Sequence, residues 1–238
     1  MKYFGIIGYP LSHSFSKKYF SEKILAEGIT GTFFEEYPLP LIEELIPLLK
    51  RNSNIEGLCV TIPHKQAVIQ YLTDRQHLPM GLHACNCIKI VGGQLIGFNT
   101  DVIGFERSLQ PLLETQDTQA LVLGNGGAAA AVKFVLNRAG IQFKIVSRTI
   151  HEGSDLVYAD LDEALIKAYP LIINTTPLGT FPSIDTCPDI PYQYLTPGHL
   201  LYDLVYNPSK TLFLQKGEEQ GARIKNGYEM LVIQAEAN

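Results

Sequence analysis

Residues 121–129 read LVLGNGGAA: an apolar strand-like run, a glycine-rich turn and the alanine-rich start of a helix-like segment. Gly124, Gly126 and Ala129 match the pattern G-x-G-x-x-G/A, in which the glycines let the backbone approach a pyrophosphate closely. The unpaired N–H groups at the start of the following helix attract the same negative charge. The stretch therefore predicts a dinucleotide-binding turn, with a tight turn that holds no ligand as the plain alternative.

The segments around this turn alternate between strand-like and helix-like patterns, which favours α/β units. A polar stretch at 114–119 precedes the turn, and we place the main domain boundary near residue 101. The half that contains the turn is predicted to be a doubly wound domain. Its predicted strands are 120–123, 143–146, 171–174 and 200–203, and its predicted helices are 128–139, 161–168 and 210–220.

The half before residue 101 is predicted to hold a second, mainly parallel sheet. Gly92 and Gly93 separate two strand-like runs and signal a tight antiparallel hairpin at the margin of that sheet. Pro63 is predicted to open a helix, because proline is favoured at the first helical position. The predicted strands of this half are 3–7, 32–37, 57–62, 85–91 and 94–97, and its other predicted helices are 15–26 and 39–49; a further helix, 101–113, is predicted after the boundary.

The composition limits the class of protein. Of the 238 residues, 46% are hydrophobic and 18% are charged, which excludes a disordered or fibrous chain as the best interpretation. The net charge of -5 works against sequence-independent binding of nucleic acid or of an anionic membrane surface. An anionic ligand must therefore meet local positive potential.

Neither a membrane span nor a signal peptide is expected. No apolar run approaches the ~18 residues of a membrane helix, and the opening apolar run at 1–7 is too short for a secretory segment. We therefore expect a cytoplasmic protein. Its four cysteines are too few for a disulfide scaffold, and Cys85 and Cys87 stand closer together than zinc ligands usually do. We expect reduced cysteines and no metal site.

The end of the strand after the glycine turn indicates the cofactor. An NAD-binding domain usually places a carboxylate there for the ribose 2′-hydroxyl, whereas this chain has Ser147, Arg148 and Thr149. A guanidinium can pair with a 2′-phosphate, so NADP is predicted over NAD, with a solvated surface arginine as the alternative. Glu152 would repel that phosphate if it pointed inward, which keeps NAD open.

Polar side chains also follow strands of the first half. Residues 12–16 read SHSFS and can cap a helix or hydrogen-bond an anionic ligand. Lys65 falls in the first turn of the predicted helix, where the macrodipole disfavours a cation, so stability alone would not select it. Asp101 begins the next predicted helix and is its candidate partner, because strand ends of one sheet converge on one crevice. The alternative for Lys65 is a solvated lysine, and the alternative for Asp101 is ordinary favourable charge at a helix N-terminus.

Together these motifs resemble the shikimate dehydrogenase family, over nearly the whole chain and in order. In the first half, the similar segments are GYPLSHSFS at 8–16, VTIPHK at 60–65, ACN at 84–86 and NTD at 99–101. In the second half, they are GNGGA at 124–128, SRT at 147–149, NTTPLG at 174–179 and GYEML at 227–231.

The resemblance implies an N-terminal substrate domain, residues 1–101 with 227–238, and a Rossmann-like NADP-binding domain, residues 102–226, with a cleft between them. It implies Lys65 and Asp101 as the catalytic pair. The implied substrate contacts are Ser14, Ser16, Thr61, Asn86, Tyr206 and Gln234. The implied cofactor contacts are Gly124, Asn125, Gly126, Gly127, Ala128, Ser147, Arg148, Thr149, Thr175, Gly227 and Met230.

The activity implied by the resemblance is the reversible reduction of 3-dehydroshikimate to shikimate by NADPH, in aromatic amino-acid biosynthesis. The implied partner is the small-molecule substrate, with no nucleic acid and no membrane, in a monomer or a homodimer. Two alternatives stay open. One is a quinate/shikimate dehydrogenase that uses NAD, and the other is a non-catalytic nucleotide-binding regulator of the same fold.

Overall fold

The computed structural model describes residues 1–11 and 15–238. By its internal contacts the chain forms two compact units, residues 1–100 with Asn238 and residues 101–237. The first boundary lies beside the predicted one near residue 101. Within the described residues, no helix is both long and apolar enough to cross a bilayer, and all four cysteines are free thiols.

The first unit is built on a five-stranded sheet whose spatial order is β2-β1-β3-β4-β5. Strand β1 pairs in parallel with β2 and β3, whereas β3, β4 and β5 pair antiparallel. Gly92 and Gly93 both adopt positive φ, at 57° and 80°, which confirms the predicted hairpin and its tight turn. The strands are β1 (Lys2–Gly8), β2 (Thr32–Pro38), β3 (Ile55–Val60), β4 (Cys87–Val91) and β5 (Gln94–Phe98), and the α-helices are α1 (Phe15–Ala26) and α2 (Leu45–Arg51).

Alternation along β1 gives the first sheet two apolar faces. Ile7 is fully buried in the larger cluster, with residues of α2, and Ile6 lies in the smaller cluster, against α1. Both faces of the sheet are therefore covered at β1.

The prediction of a helix that begins at Pro63 is wrong. A turn occupies 62–66, and a short 3-10 helix, Ala67–Tyr71, follows it. The Lys65 carbonyl accepts a hydrogen bond from Cys85 N at 2.7 Å, and Ile69 N donates instead to Gln66 O. In an α-helix the Lys65 carbonyl would accept from Ile69 N, but here it accepts from Cys85 N instead. Because Lys65 is not in a helix, the argument from a helix macrodipole no longer applies to it.

The second unit contains a six-stranded, all-parallel sheet in the order β11-β10-β9-β6-β7-β8. Numbered from its own first strand, this order is 3-2-1-4-5-6, that of a doubly wound nucleotide-binding domain. The strands are β6 (Gln119–Leu123), β7 (Gln142–Ser147), β8 (Leu156–Val157), β9 (Leu171–Asn174), β10 (Leu200–Asp203) and β11 (Arg223–Lys225). The α-helices are α3 (Asp101–Leu109), α4 (Gly127–Arg138), α5 (Glu163–Ala168), α6 (Leu212–Glu219) and α7 (Tyr228–Glu236).

Helix α7 groups with the second unit, whereas residues 227–238 were predicted to belong with the first domain. The reason is its close approach to α3 at Gly104, where an added Cβ would lie only 2.6 Å from Met230 O. Only Asn238 groups with the first unit, where its side-chain oxygen accepts from Thr100 Oγ1 at 2.8 Å.

Candidate nucleotide and substrate sites

The glycine turn lies at the point where the order of the second sheet reverses. Strand β6 is flanked by β7 and β9, and Gly124 follows β6 with φ of 97°, a conformation that favours glycine. Gly124 N donates to Val146 O at 2.8 Å, and Thr175, after β9, donates its backbone N–H and its hydroxyl to Leu123 O. Ligands of open α/β sheets bind at such a reversal point.

The turn leaves room for an anion. Gly126 is the N-cap of α4, and no side chain caps its first turn. At Gly126 and Gly127, an added Cβ would meet nothing within 4 Å. A helix start with no side-chain cap and open space beside its glycines suits the pyrophosphate of a dinucleotide. Ala128 is half-buried at the start of α4, and Ala129 is fully buried beneath it.

The Asn125 side chain holds the turn from one side. Its amide nitrogen donates to Gly153 O at 3.0 Å, and its amide oxygen accepts from Lys133 Nζ at 2.7 Å. The segment that follows β7 is therefore joined to the glycine turn through a side chain, a connection that the G-x-G-x-x-G/A pattern does not reveal.

The predicted NADP-selecting segment ends β7. Ser147 is buried and donates its hydroxyl to Thr149 O at 3.0 Å, while Arg148 and Glu152 are exposed. Burial raises the pKa of Tyr158 to about 12, and the positive charge of Arg148 opposes that rise. The structure thus provides a cation at the strand end where a 2′-phosphate would be recognised.

In the first unit, the loop that carries Lys65 is fixed from three directions. Thr61 N donates to Ile7 O at 2.9 Å, and the His64 ring, which is buried, contacts Leu39 O through Nε2 at 2.6 Å. The third tie is the bond from Cys85 N to Lys65 O. Lys65 itself is half-buried. The carboxyl end of β3 therefore presents a hydroxyl and an ammonium on a constrained backbone.

Asn86 is linked to the end of β5 by two side-chain hydrogen bonds. Its Nδ2 donates to Thr100 Oγ1 at 2.9 Å, and its Oδ1 accepts from Thr100 N at 2.7 Å. Asn99 Nδ2 donates to Ala84 O at 2.9 Å and closes the same corner. Thr100, a partner that sequence reasoning did not single out, orients the amide; its only signal was its place in the NTD segment.

The predicted carboxylate-binding serines and the predicted partner of Lys65 lie in different segments of the chain. Ser14 lies outside the described residues, and Ser16 is half-buried in the first turn of α1. Asp101 begins α3 and is 8% exposed. Because Lys65 and Asp101 belong to different units, their pairing stays a prediction.

Residues predicted from the last part of the chain lie in the second unit. Gly227 could carry no side chain, because an added Cβ would lie 2.1 Å from Leu204 O. Met230 is buried, and Gln234 donates to Leu231 O at 3.0 Å. Burial raises the pKa of the Tyr206 phenol above its usual range. Their contacts with substrate or cofactor stay predictions.

Known proteins resemble this chain along its whole length. A family model described as "Shikimate dehydrogenase substrate binding domain" matches residues 6–88. The shikimate dehydrogenase (NADP(+)) of Halothermothrix orenii is 36% identical, over 97% of this chain and 87% of that protein.

Two solved structures share the fold. Shikimate 5-dehydrogenase of Thermus thermophilus, in complex with NADP(H) and shikimate, has a TM-score of 0.83 at 27% identity and covers 99% of this chain and 90% of its own. Quinate dehydrogenase of Corynebacterium glutamicum, in complex with NAD, has a TM-score of 0.84 at 25% identity. The match covers 98% of this chain and 90% of the quinate dehydrogenase chain.

Proposed function

The chain belongs to the shikimate dehydrogenase family, and on this premise we propose that it interconverts shikimate and 3-dehydroshikimate with NADP through the residues described below. The observation that carries the proposal is the open glycine turn at the reversal point of the second sheet, in a chain similar over 97% of its length to an NADP-dependent shikimate dehydrogenase. Its reaction class is that of an oxidoreductase acting on a secondary alcohol.

The second unit fits the cofactor. The backbone N–H groups of residues 125–128 would hold the pyrophosphate, with Gly124 giving it room, and Arg148 would hold the 2′-phosphate, with Ser147 and Thr149 shaping the strand end. Thr175, Gly227 and Met230 would border the nicotinamide. When bound, the nicotinamide supplies hydride acceptance in one direction and hydride donation in the other.

Lys65 acts on the oxygen of the reacting carbon. An ammonium there stabilises the negative charge that develops on the oxygen during reduction and donates its proton to it; in the reverse direction the neutral amine accepts the proton. Asp101 orients the neighbouring ring hydroxyl. Because the loop at 61–65 is tied to β1, to Leu39 and to Cys85, the ammonium is held on a preorganised backbone.

The substrate is held by polar groups far from the reacting carbon. Ser14 and Ser16 bind the carboxylate, and Asn86, fixed by Thr100, binds a ring hydroxyl. Thr61, Tyr206 and Gln234 complete the set. Remote contacts of this kind raise the effective concentration of the reacting carbon beside the cofactor.

The test is a spectroscopic assay of the purified chain with shikimate and NADP+, in which we expect NADPH to form. The same assay with quinate, and with NAD+ in place of NADP+, examines the second candidate. That candidate is favoured by the likeness to a quinate dehydrogenase that holds NAD and by Glu152 near Arg148. Faster turnover of quinate with NAD+ would replace our proposal by it.

A non-catalytic regulator is the third possibility, and calorimetry separates it from the other two. Binding of NADP+ and shikimate with no change at the nicotinamide absorbance band would favour the regulator and contradict the proposed activity. Cytoplasmic location and a monomeric or homodimeric state are further parts of the proposal, and size-exclusion chromatography with light scattering tests the latter.

A further inference from the structure

Asp203, at the end of β10, is a fully buried carboxylate that accepts three hydrogen bonds. Its Oδ1 accepts from Asn174 Nδ2 at 2.9 Å and from Val205 N at 3.0 Å, and its Oδ2 accepts from Thr211 Oγ1 at 2.5 Å. Burial raises the pKa of this carboxyl to about 6 despite these bonds. A buried ionisable group is costly, so its retention calls for a reason.

The three bonds connect three separate segments. Asn174 ends β9, and its Oδ1 in turn accepts from Thr176 N at 3.0 Å and Thr176 Oγ1 at 2.6 Å. Val205 begins the segment that leaves β10, and Thr211 is the N-cap of α6. From the core of the second unit, Asp203 thus holds the two residues that precede predicted binding residues: Asn174 comes before Thr175, and Val205 comes before Tyr206.

We propose that Asp203 is a positioning residue, which holds 174–176 and 204–206 so that Thr175 meets the cofactor and Tyr206 meets the substrate. The inference rests on the proposed function through the roles of those two residues. Asp203 itself has no solvent-exposed surface, so it acts through its hydrogen-bond partners.

The network needs the acceptor Oδ1 rather than the negative charge. The amide N–H groups of Asn174 and Val205 can only donate, so Oδ1 must stay an acceptor. The Thr211 hydroxyl, opposite Oδ2, can donate or accept. Asparagine at 203 can therefore keep all three contacts with its amide nitrogen toward Thr211, whereas alanine leaves all three buried donors without this acceptor.

Asp117 provides a matched control in the same unit. Its carboxylate is also fully buried and accepts two bonds from Arg223 Nη2, at 3.0 and 3.2 Å, and one from Glu114 N at 2.8 Å. It precedes β6, at the end of the sheet away from the glycine turn. Its loss should lower stability without moving 174–176 or 204–206.

The experiment compares Asp203→Ala, Asp203→Asn and Asp117→Ala by urea denaturation, by steady-state kinetics and by calorimetric titration with NADP+. For Asp203→Ala we expect KM for both shikimate and NADP+ to rise about tenfold. Asp203→Asn should stay within about twofold of the parent chain. Asp117→Ala should show a lower denaturation midpoint with both KM values unchanged. Asn174→Ala, which cuts only the arm to 174–176, should raise KM for NADP+ alone.

Two results would overturn the proposal: a folded Asp203→Ala with the parent KM values, or an Asp203→Asn as impaired as the alanine variant. If Asp203→Ala does not fold, Asn174→Ala decides: the proposal expects KM for NADP+ to rise while KM for shikimate stays unchanged. Amide hydrogen exchange at Thr176 and Val205 should rise in Asp203→Ala and not in Asp203→Asn. Exchange and NADP+ calorimetry need no turnover, so an inactive parent chain would refute the proposed function and leave the Asp203 test intact.

Discussion

The carboxyl ends of the two sheets are built in opposite ways. In the first unit, the strand ends carry side chains that bind one another, as in the double bond between Asn86 and Thr100. In the second unit, the strand end at 124–127 has glycines at three of four positions, and an added Cβ at Gly126 or Gly127 meets only open space. The site in the first unit is formed by hydrogen-bonded side chains, whereas the glycine turn of the second unit offers backbone groups beside open space.

This difference follows from the ligands proposed. A small polyhydroxylated acid is distinguished by the positions of its hydroxyls, which only oriented donors and acceptors can recognise. A pyrophosphate carries diffuse negative charge, which backbone N–H groups and a helix start stabilise without side chains. The first site should therefore fail when a polar group is removed, and the second when an atom is added.

The largest effect is expected for Lys65→Ala. Loss of the ammonium removes charge stabilisation and proton transfer at the reacting oxygen, so kcat should fall by about a thousandfold. Steady-state turnover measures this, and calorimetry should show NADP+ affinity within about twofold. Lys89→Ala, an exposed lysine on β4, is the control and should keep full turnover. Near-normal turnover in a folded Lys65→Ala would remove Lys65 from its role.

On the side of the glycine turn, Gly126→Ala adds one methyl group to the open space and should weaken NADP+ binding by about thirtyfold, with an unchanged denaturation midpoint. Gly124→Ala differs, because φ is 97° and its Cβ would lie 2.9 Å from Thr176 Cγ2, so it should lose stability as well. Calorimetry and urea denaturation separate the two. Equal NADP+ affinity in Gly126→Ala would contradict the proposed cradle.

On the side of the hydrogen-bonded corner, Asn86→Ala should raise KM for shikimate about tenfold and leave the affinity for NADP+ unchanged. The fold should lose about 1–3 kcal/mol, because the buried Thr100 N–H loses its acceptor and the Thr100 hydroxyl loses the donor from Asn86. Kinetics with each substrate varied in turn measures the split. A rise in KM for both substrates would show that the two sites are not separable in this way.

Arg148→Ala should raise KM for NADP+ about fivefold and leave KM for NAD+ nearly constant, because only NADP+ carries the 2′-phosphate. NAD+ is the internal control. Equal changes for both nucleotides would count against a phosphate contact at Arg148.

The smallest effect concerns stability against pH. The folded pKa of Asp203 is raised to about 6, above that of the unfolded chain, so the native state binds this proton first as the pH falls. Its contribution therefore stabilises the fold as the pH drops below about 6, by about 1 kcal/mol at pH 5. Urea midpoints of the parent chain and Asp203→Asn at pH 7 and pH 5 should diverge in that direction. A constant difference would contradict the shift.

Much of the second unit followed from local pattern. Predicted strands 171–174 and 200–203 match β9 and β10 residue for residue, because uninterrupted apolar runs are typical of buried parallel strands. Strands β8 and β11 were missed, since two or three residues are too few to show a period. Asp203 gave no signal either, because the local sequence does not show that an aspartate at the end of a strand is buried.

The sequence by itself determined the two α/β sheets, the glycine turn, the Gly92–Gly93 hairpin and the family, because each depends on residue types at short spacing. Only the tertiary structure decided that the Lys65 segment is a turn, that Thr100 holds Asn86 and that Asp203 joins three segments. Those features depend on hydrogen bonds between residues well separated in the chain, such as Cys85 N to Lys65 O and Asn174 Nδ2 to Asp203 Oδ1. A buried polar group takes whichever partner the fold brings near, and local sequence cannot specify that partner.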